Sequence, residues 1–261
     1  MEKRRVIYYT DELNDEFSEF KADPPVIDGS YNYDDNSFGR KLRRFFTYRI
    51  LIFPMAWIYT RFVMHRTLKG KEKLRPYRKT GIFMYGNHTQ PVGDAFMQAC
   101  ITYPRTNYVV VHPNNLTVPF FGPLTPALGA LPIPGNTAAY RNFTKAIADK
   151  IARRHPVVIY PEAHIWPYYT KIRPFPETSF VYPVTNNAPA FCFVNTYQKR
   201  KHSEKPRIVT YIEGPFFPDE SLDPKSRRKK LRDEVYSAMC RLAEHSDCEY
   251  IKYIKKEENN G

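Results

Sequence analysis

A chain of 261 residues, 42% of them hydrophobic, can bury one large core, which excludes a disordered tail or a small disulfide- or metal-stapled module. The four cysteines, Cys100, Cys192, Cys240 and Cys248, form no CxxC pair; they read as reduced core thiols rather than a zinc pattern or a disulfide framework. The formal net charge of +13 is uneven, with ten acids against four bases in residues 1–35 and thirteen Lys/Arg against Glu72 alone in residues 40–79, so the second segment suits an anionic surface.

Residues 1–38 form an acidic, aromatic-rich lead-in, too polar for a signal peptide, with a turn at DPPVIDGSYNYDDN. Residues 39–79 are a basic apolar segment ending in the charged linker GKEKLRPYRKTG. Within it, ILIFPMAWIYT (50–60) lies between Arg49 and Arg61. Eleven uncharged residues fall short of the roughly 20 a spanning helix needs. An aromatic and basic fringe suits a helix lying in a membrane interface, with Arg43, Arg44, Phe53, Trp57 and Arg61 as its contacts; a buried core helix is the other reading. A nucleic-acid binder is a weaker fit, because the basic residues flank an apolar run instead of interleaving with polar contacts.

From residue 80 to 261 short apolar runs alternate with helical stretches. Strands are predicted at 82–87, 107–113, 156–162, 190–197 and 207–215 from their β-branched and aromatic content and Pro/Gly borders. Phe143, Ile147 and Ile151 mark one amphipathic helix; Leu231, Val235, Met239 and Leu242 mark another. The alternation predicts an α/β domain with a mixed, mostly parallel sheet flanked by helices, behind an N-terminal basic amphipathic helical segment.

Chemistry concentrates in two blocks. In YGNHTQPVGDAF, His88 follows the first predicted strand, at the edge where open α/β sheets bind ligands. Pro91 and Gly93 let the chain bend so that Asp94, carried on a following helix, returns to the imidazole. Such a pair is either a general base or a structural hydrogen bond; a free imidazole titrates near ~6.5 and can take a hydroxyl proton. In VVIYPEAHIWP, Glu162 and His164 likewise follow an apolar strand, which suggests one shared crevice. The set His88, Asp94, Glu162 and His164 matches no compact metal motif, so no metal is expected.

Through these blocks the chain resembles the 1-acylglycerol-3-phosphate (lysophospholipid) acyltransferase family from about Gly81 to Pro215. GNHTQPVGD is similar to the family's Asn-His…Asp block, VPFFGPLTPALGALPIPG to its Pro-x-x-Gly block, YPEAH to its Pro-Glu-Gly-Thr-Arg block and APAFCFVN to its Pro-led apolar strand. Three features depart from the pattern: five residues instead of four between His88 and Asp94, Pro134-Gly135 in place of a second-block arginine, and Ala163-His164-Ile165 in place of Gly-Thr-Arg. The resemblance implies an O-acyltransferase on the cytoplasmic face of a membrane, peripheral or monotopic, with anionic lipids beneath it. It would move a fatty acyl group from acyl-CoA or acyl carrier protein, a co-substrate rather than a cofactor, to a lipid hydroxyl. His88 would be the base and Asp94 its orienting acid, with Asn87 and backbone N–H groups near Gly86 or Gly135 on the oxyanion. Glu162 and His164 would sit at the acceptor, and Arg141, Lys171 or Arg173 would supply charge for its phosphate. A non-catalytic lipid-binding protein on the same fold is the alternative.

Overall fold

The computed structural model describes residues 5–17, 23–33, 37–118 and 122–256; the predicted turn at DPPVIDGSYNYDDN, the VPFFGPL stretch and the KKEENNG tail fall partly outside them. In chain order the regular elements are β1 (Arg5–Tyr9), α1 (Phe38–Phe45), α2 (Phe53–Ile58), β2 (Thr67–Lys69), β3 (Ile82–Gly86), α3 (Asp94–Thr102), β4 (Tyr108–Val111), β5 (Ala130–Pro132), α4 (Thr137–Ala152), β6 (Pro156–Ile159), α5 (Val181–Thr185), β7 (Ala190–Arg200), β8 (Ser203–Phe216), α6 (Pro224–Ala243) and β9 (Ile251–Lys255). Seven strands form one sheet in the order β2-β8-β7-β3-β6-β4-β5, parallel throughout except for the antiparallel pair β7–β8. The expected mixed, mostly parallel sheet flanked by helices is what the chain builds. It starts earlier than the predicted boundary at residue 80, because Thr67–Lys69, just before the expected linker, pairs with β8 as an edge strand.

Strand β3 sits near the middle of the sheet and is buried along its whole length, which is why it reads as an unbroken apolar run. Its side chains alternate between two cores. Phe83 and Tyr85 face Phe143, Ile147 and Ile151 of α4 and Leu231, Val235 and Met239 of α6, so both predicted apolar stripes are core. Ile82 and Met84 face the other side, with Ile101 of α3 and Phe191 and Phe193 of β7.

Residues 38–63 form one continuous helical rod in which α1 and α2 alternate with π-helical turns at Phe46–Ile52 and Tyr59–Val63. Its buried residues are Arg44, Tyr48, Ile52, Ala56 and Thr60, followed by Met64, one every four positions. In a straight α-helix a four-residue repeat overshoots a full turn by about 40° per step and would wind around the rod. The wider π turns take up that drift and keep the stripe on the protein. Pro54 lacks the N–H that would close an α-turn, and the first π turn ends just before it. The outward face holds Phe45, Phe46, Ile50, Leu51, Trp57, Ile58 and Phe62, all exposed, among exposed Arg43, Arg49 and Arg61. Two residues expected on that face are elsewhere. Arg44 is buried, its guanidinium 3.9 Å above the Tyr108 ring and donating to the Asn107 carbonyl. Phe53 is half-buried, stacked on Tyr103 with centroids 4.0 Å apart. No helix among the described residues is long and apolar enough to cross a membrane.

The lead-in has a structural role. Strand β1 pairs in parallel with β9 as a separate two-stranded sheet. Between them and the main domain lies Trp166, fully buried, with Tyr9, Phe17, Tyr169 and Tyr253 around its ring at 4.7–5.3 Å. Its indole N–H donates to the Asp15 carbonyl at 2.8 Å.

Candidate active site

Strands β3 and β6 are adjacent and in register with Tyr85 opposite Ile159. His88 stands three residues past the first and Glu162 three past the second, so the sheet itself delivers both to one height at its C-terminal edge. Glu162 Oε2 accepts the His88 backbone N–H at 3.2 Å, and the Trp166 N–H donates to the His88 carbonyl at 3.1 Å. Both backbone groups of His88 are therefore held by the second block.

The ring is held as well. His88 Nδ1–H donates to Asp94 Oδ2 at 2.8 Å; a carboxylate only accepts, so the neutral ring carries its proton on Nδ1 and its lone pair on Nε2. One face stacks on Tyr160, with centroids 4.5 Å apart. The imidazole is 18% exposed and Asp94 only 3%, so the ring reaches the surface while the carboxylate stays covered. The extra residue between them is absorbed by a turn at 91–93: helix α3 begins at Asp94 itself, behind Gly93, instead of at Pro91.

The Asp94 carboxylate is fixed by two further donors. Its Oδ2 also accepts the Gln90 N–H at 3.0 Å, and Oδ1 accepts Asn195 Nδ2 at 3.3 Å; Thr210 in turn donates to Asn195 Oδ1 at 2.7 Å. At the first turn of α3 the carboxylate also meets the positive end of the helix dipole. The Tyr160 hydroxyl donates to the Asp94 carbonyl at 2.9 Å. Just beyond the rod, Arg66 is buried, with Nη1 donating to the Met97 carbonyl at 3.0 Å and Nη2 without a partner among the described residues. Burial pulls its guanidinium down to about 10, against the attraction of Cys100, Tyr160 and Asp94. Gln90, Tyr160, Asn195, Thr210 and Arg66 escaped sequence reasoning. A polar Asn-Thr pair inside the apolar run AFCFVNTY was the available signal, since polar groups in a buried strand need assigned partners.

Other expected residues lie apart from the imidazole. Asn87 is beneath the site: Nδ2 donates to the Asn195 carbonyl at 3.0 Å and Oδ1 accepts the Asn195 N–H at 2.8 Å, so its amide joins β3 to β7 and is not aimed at an oxyanion. The Gly135 N–H is likewise taken by the Ile27 carbonyl at 2.9 Å. Gly86 has a packing role, since a Cβ there would fall into the Phe193 ring. Arg173 is buried against Glu162, 3.5 Å from Oε2, with its own N–H on Oε1 at 3.2 Å, and it also donates to the His164 carbonyl. A guanidinium in that place is an internal counter-ion and not a surface for phosphate. Burial raises the Glu162 carboxyl above its ordinary value, with Arg173 and the His88 N–H opposing. His164 turns to the lead-in, 3.2 Å from Glu16 Oε2, and Ala163 before it is held at φ 63° where the family's block has glycine. Arg141 and Lys171 are exposed. The Glu162 and His164 side chains thus turn to Arg173 and Glu16 while His88 and Asp94 pair with each other, and among the described residues no three metal-ligating groups converge.

Residues 65–188 match the family model described as Acyltransferase, a span that starts at the residue before Arg66 and holds both blocks. Among solved structures, the 1-acyl-sn-glycerophosphate (LPA) acyltransferase PlsC from Thermotoga maritima matches with a TM-score of 0.55 at 12% identity, covering 79% of this chain and 84% of that one. No curated protein sequence matches. Residues 65–188 are thus similar to an acyltransferase domain, and the chain shares the fold of PlsC.

Proposed function

We propose that the protein is a glycerolipid-type O-acyltransferase working on the surface of a bilayer. His88 Nε2 takes the proton of a lipid hydroxyl as the oxygen attacks the carbonyl of an acyl thioester. The tetrahedral intermediate collapses, the C–S bond breaks, and the thiolate leaves with the proton held by the imidazolium. Asp94 keeps Nδ1 protonated and stabilises the cation between those two steps. The donor is acyl-CoA or acyl carrier protein, and the acceptor is a lysophospholipid or related lipid.

The exposed face of the 38–63 rod is the proposed contact with the membrane. Its aromatic and aliphatic side chains would enter the interface while Arg43, Arg49 and Arg61 meet anionic headgroups of the cytoplasmic leaflet. The rod passes beside the active site, since Tyr59 lies against Phe96 of α3 and Met64 packs with Met97, so lipid would reach His88 without leaving the surface.

The observation that carries this reading is the 2.8 Å hydrogen bond between His88 Nδ1 and the Asp94 carboxylate, which in the neutral ring puts the proton on Nδ1 and leaves Nε2 free to act as the base. His88→Ala tests it. The variant should bind vesicles as the wild type does while transfer of labelled acyl groups to a lysophospholipid panel falls by about 10²–10⁴. Near-wild-type transfer would remove His88 as the base.

A further inference from the structure

A second basic site lies at the opposite edge of the sheet. A cleft of about 270 Å³ opens where β3 and β6 begin, at Ile82 and Pro156, and is walled by Lys71, Arg75, Arg78 and Arg105 against the single acid Glu72. Its floor is apolar, formed by Leu74, Ile101 and Tyr103. From Ile82 to His88 is six residues of extended chain, about 20 Å, so an occupant here cannot be the reacting acceptor.

The four cations are not equivalent. Arg105 is structural, donating to the carbonyls of Tyr77, Thr80 and Arg154. Lys71 is half-buried with Nζ on the Cys100 carbonyl at 3.0 Å; burial lowers its pKa, and the charges of Arg66 and Arg78 lower it further. Arg75 and Arg78 are exposed and have no carboxylate partner among the described residues. Positive charge that repels itself around a cleft with an apolar floor suits an anion attached to hydrocarbon. The rim also touches the rod: Tyr103 is the residue on which Phe53 stacks, and Arg49 Nη2 donates to the Pro104 carbonyl at 2.6 Å.

We propose that this cleft binds the phosphate of a non-reacting anionic phospholipid drawn from the same leaflet. The inference rests on the reading of the rod as the membrane contact. It makes Arg75 and Arg78 the ligands of a docking lipid that fixes how the enzyme sits on the bilayer, with the lipid's glycerol end over Tyr103.

The test separates the two readings by working first without a bilayer. Dihexanoyl-phosphatidylglycerol, below its micelle concentration, is titrated into the full-length protein and into Arg75→Gln/Arg78→Gln by calorimetry; dihexanoyl-phosphatidylcholine, CoA and inorganic phosphate are the comparison ligands. The wild type should bind the anionic lipid at least tenfold tighter than the zwitterionic one, and the double variant should lose that difference. Because both arginines are exposed, the variant's unfolding midpoint should match the wild type. Equal affinity in the two proteins would overturn the proposal. So would a loss confined to CoA or inorganic phosphate, which would make the cleft a site for a soluble phosphate. Partitioning of the wild type to vesicles is measured separately, and its failure would remove the membrane reading without altering the titration.

Discussion

Replacing Asp94 with asparagine changes one atom's chemistry in a site where every neighbour is a donor. Oδ2 now accepts from both His88 Nδ1–H and the Gln90 N–H, and Oδ1 accepts from Asn195 Nδ2. If the asparagine oxygen takes the Oδ2 position, its NH₂ faces the NH₂ of Asn195, whose own oxygen already receives the Thr210 hydroxyl. If the amide flips, the NH₂ faces the Gln90 N–H and donates to Nδ1, which moves the ring proton to Nε2 and removes the lone pair that should act as base. Either arrangement leaves a donor against a donor, at a cost to folding of about 1–3 kcal/mol. The catalytic loss is larger, since a wrong tautomer and an unsupported imidazolium together cost about 10³-fold in kcat/KM, or roughly 4 kcal/mol. The assay is thiol release from acyl-CoA at saturating lysophospholipid, with vesicle binding and a denaturant midpoint measured in parallel. Activity within threefold of wild type would refute the role given to the carboxylate.

Arg66→Met should lower kcat about tenfold with little change in KM, because the buried charge near Asp94 and the hydrogen bond to Met97 are both lost, while Arg66→Lys should recover much of it; equal loss in both variants would leave only a packing role. For Glu162, a folded-state pKa raised by burial means that its contribution to stability is complete below its unfolded value of about 4.5 and declines as pH climbs through the higher folded value. The stability of wild type relative to Glu162→Gln, followed by denaturant unfolding from pH 4 to 8, should therefore fall with pH, and a gap that widens would contradict the assignment. Phe46, Ile50 and Leu51 are 53–60% exposed, so changing all three to serine withdraws about 1 kcal/mol each from interfacial burial. Partitioning to vesicles should drop about 100-fold with the unfolding midpoint unchanged, as measured by sedimentation and circular dichroism.

All five predicted strands form, and both predicted helical stripes are buried, because long apolar runs and four-residue spacing report directly on core faces. The short edge strands β2 and β5, three residues each, carry too few side chains for a pattern to emerge; sheet pairing decides them. His88 and Asp94 were legible since the strand exit and the Pro91-x-Gly93 bend are both local. Arg44 and Arg173 were not, because a cation's sequence neighbours do not say whether a distant ring or carboxylate will cover it. Here Tyr108 covers one and Glu162 the other, 64 and 11 residues away in the chain.

The pairing of β1 with β9 has a practical corollary. Both strands brace the loop whose Trp166 amide holds the backbone of His88, through Asp15 on one side and the Tyr253 ring on the other. A fusion tag abutting Arg5, or proteolytic trimming of the opening seventeen residues, would slacken that brace and with it the hold on the His88 backbone.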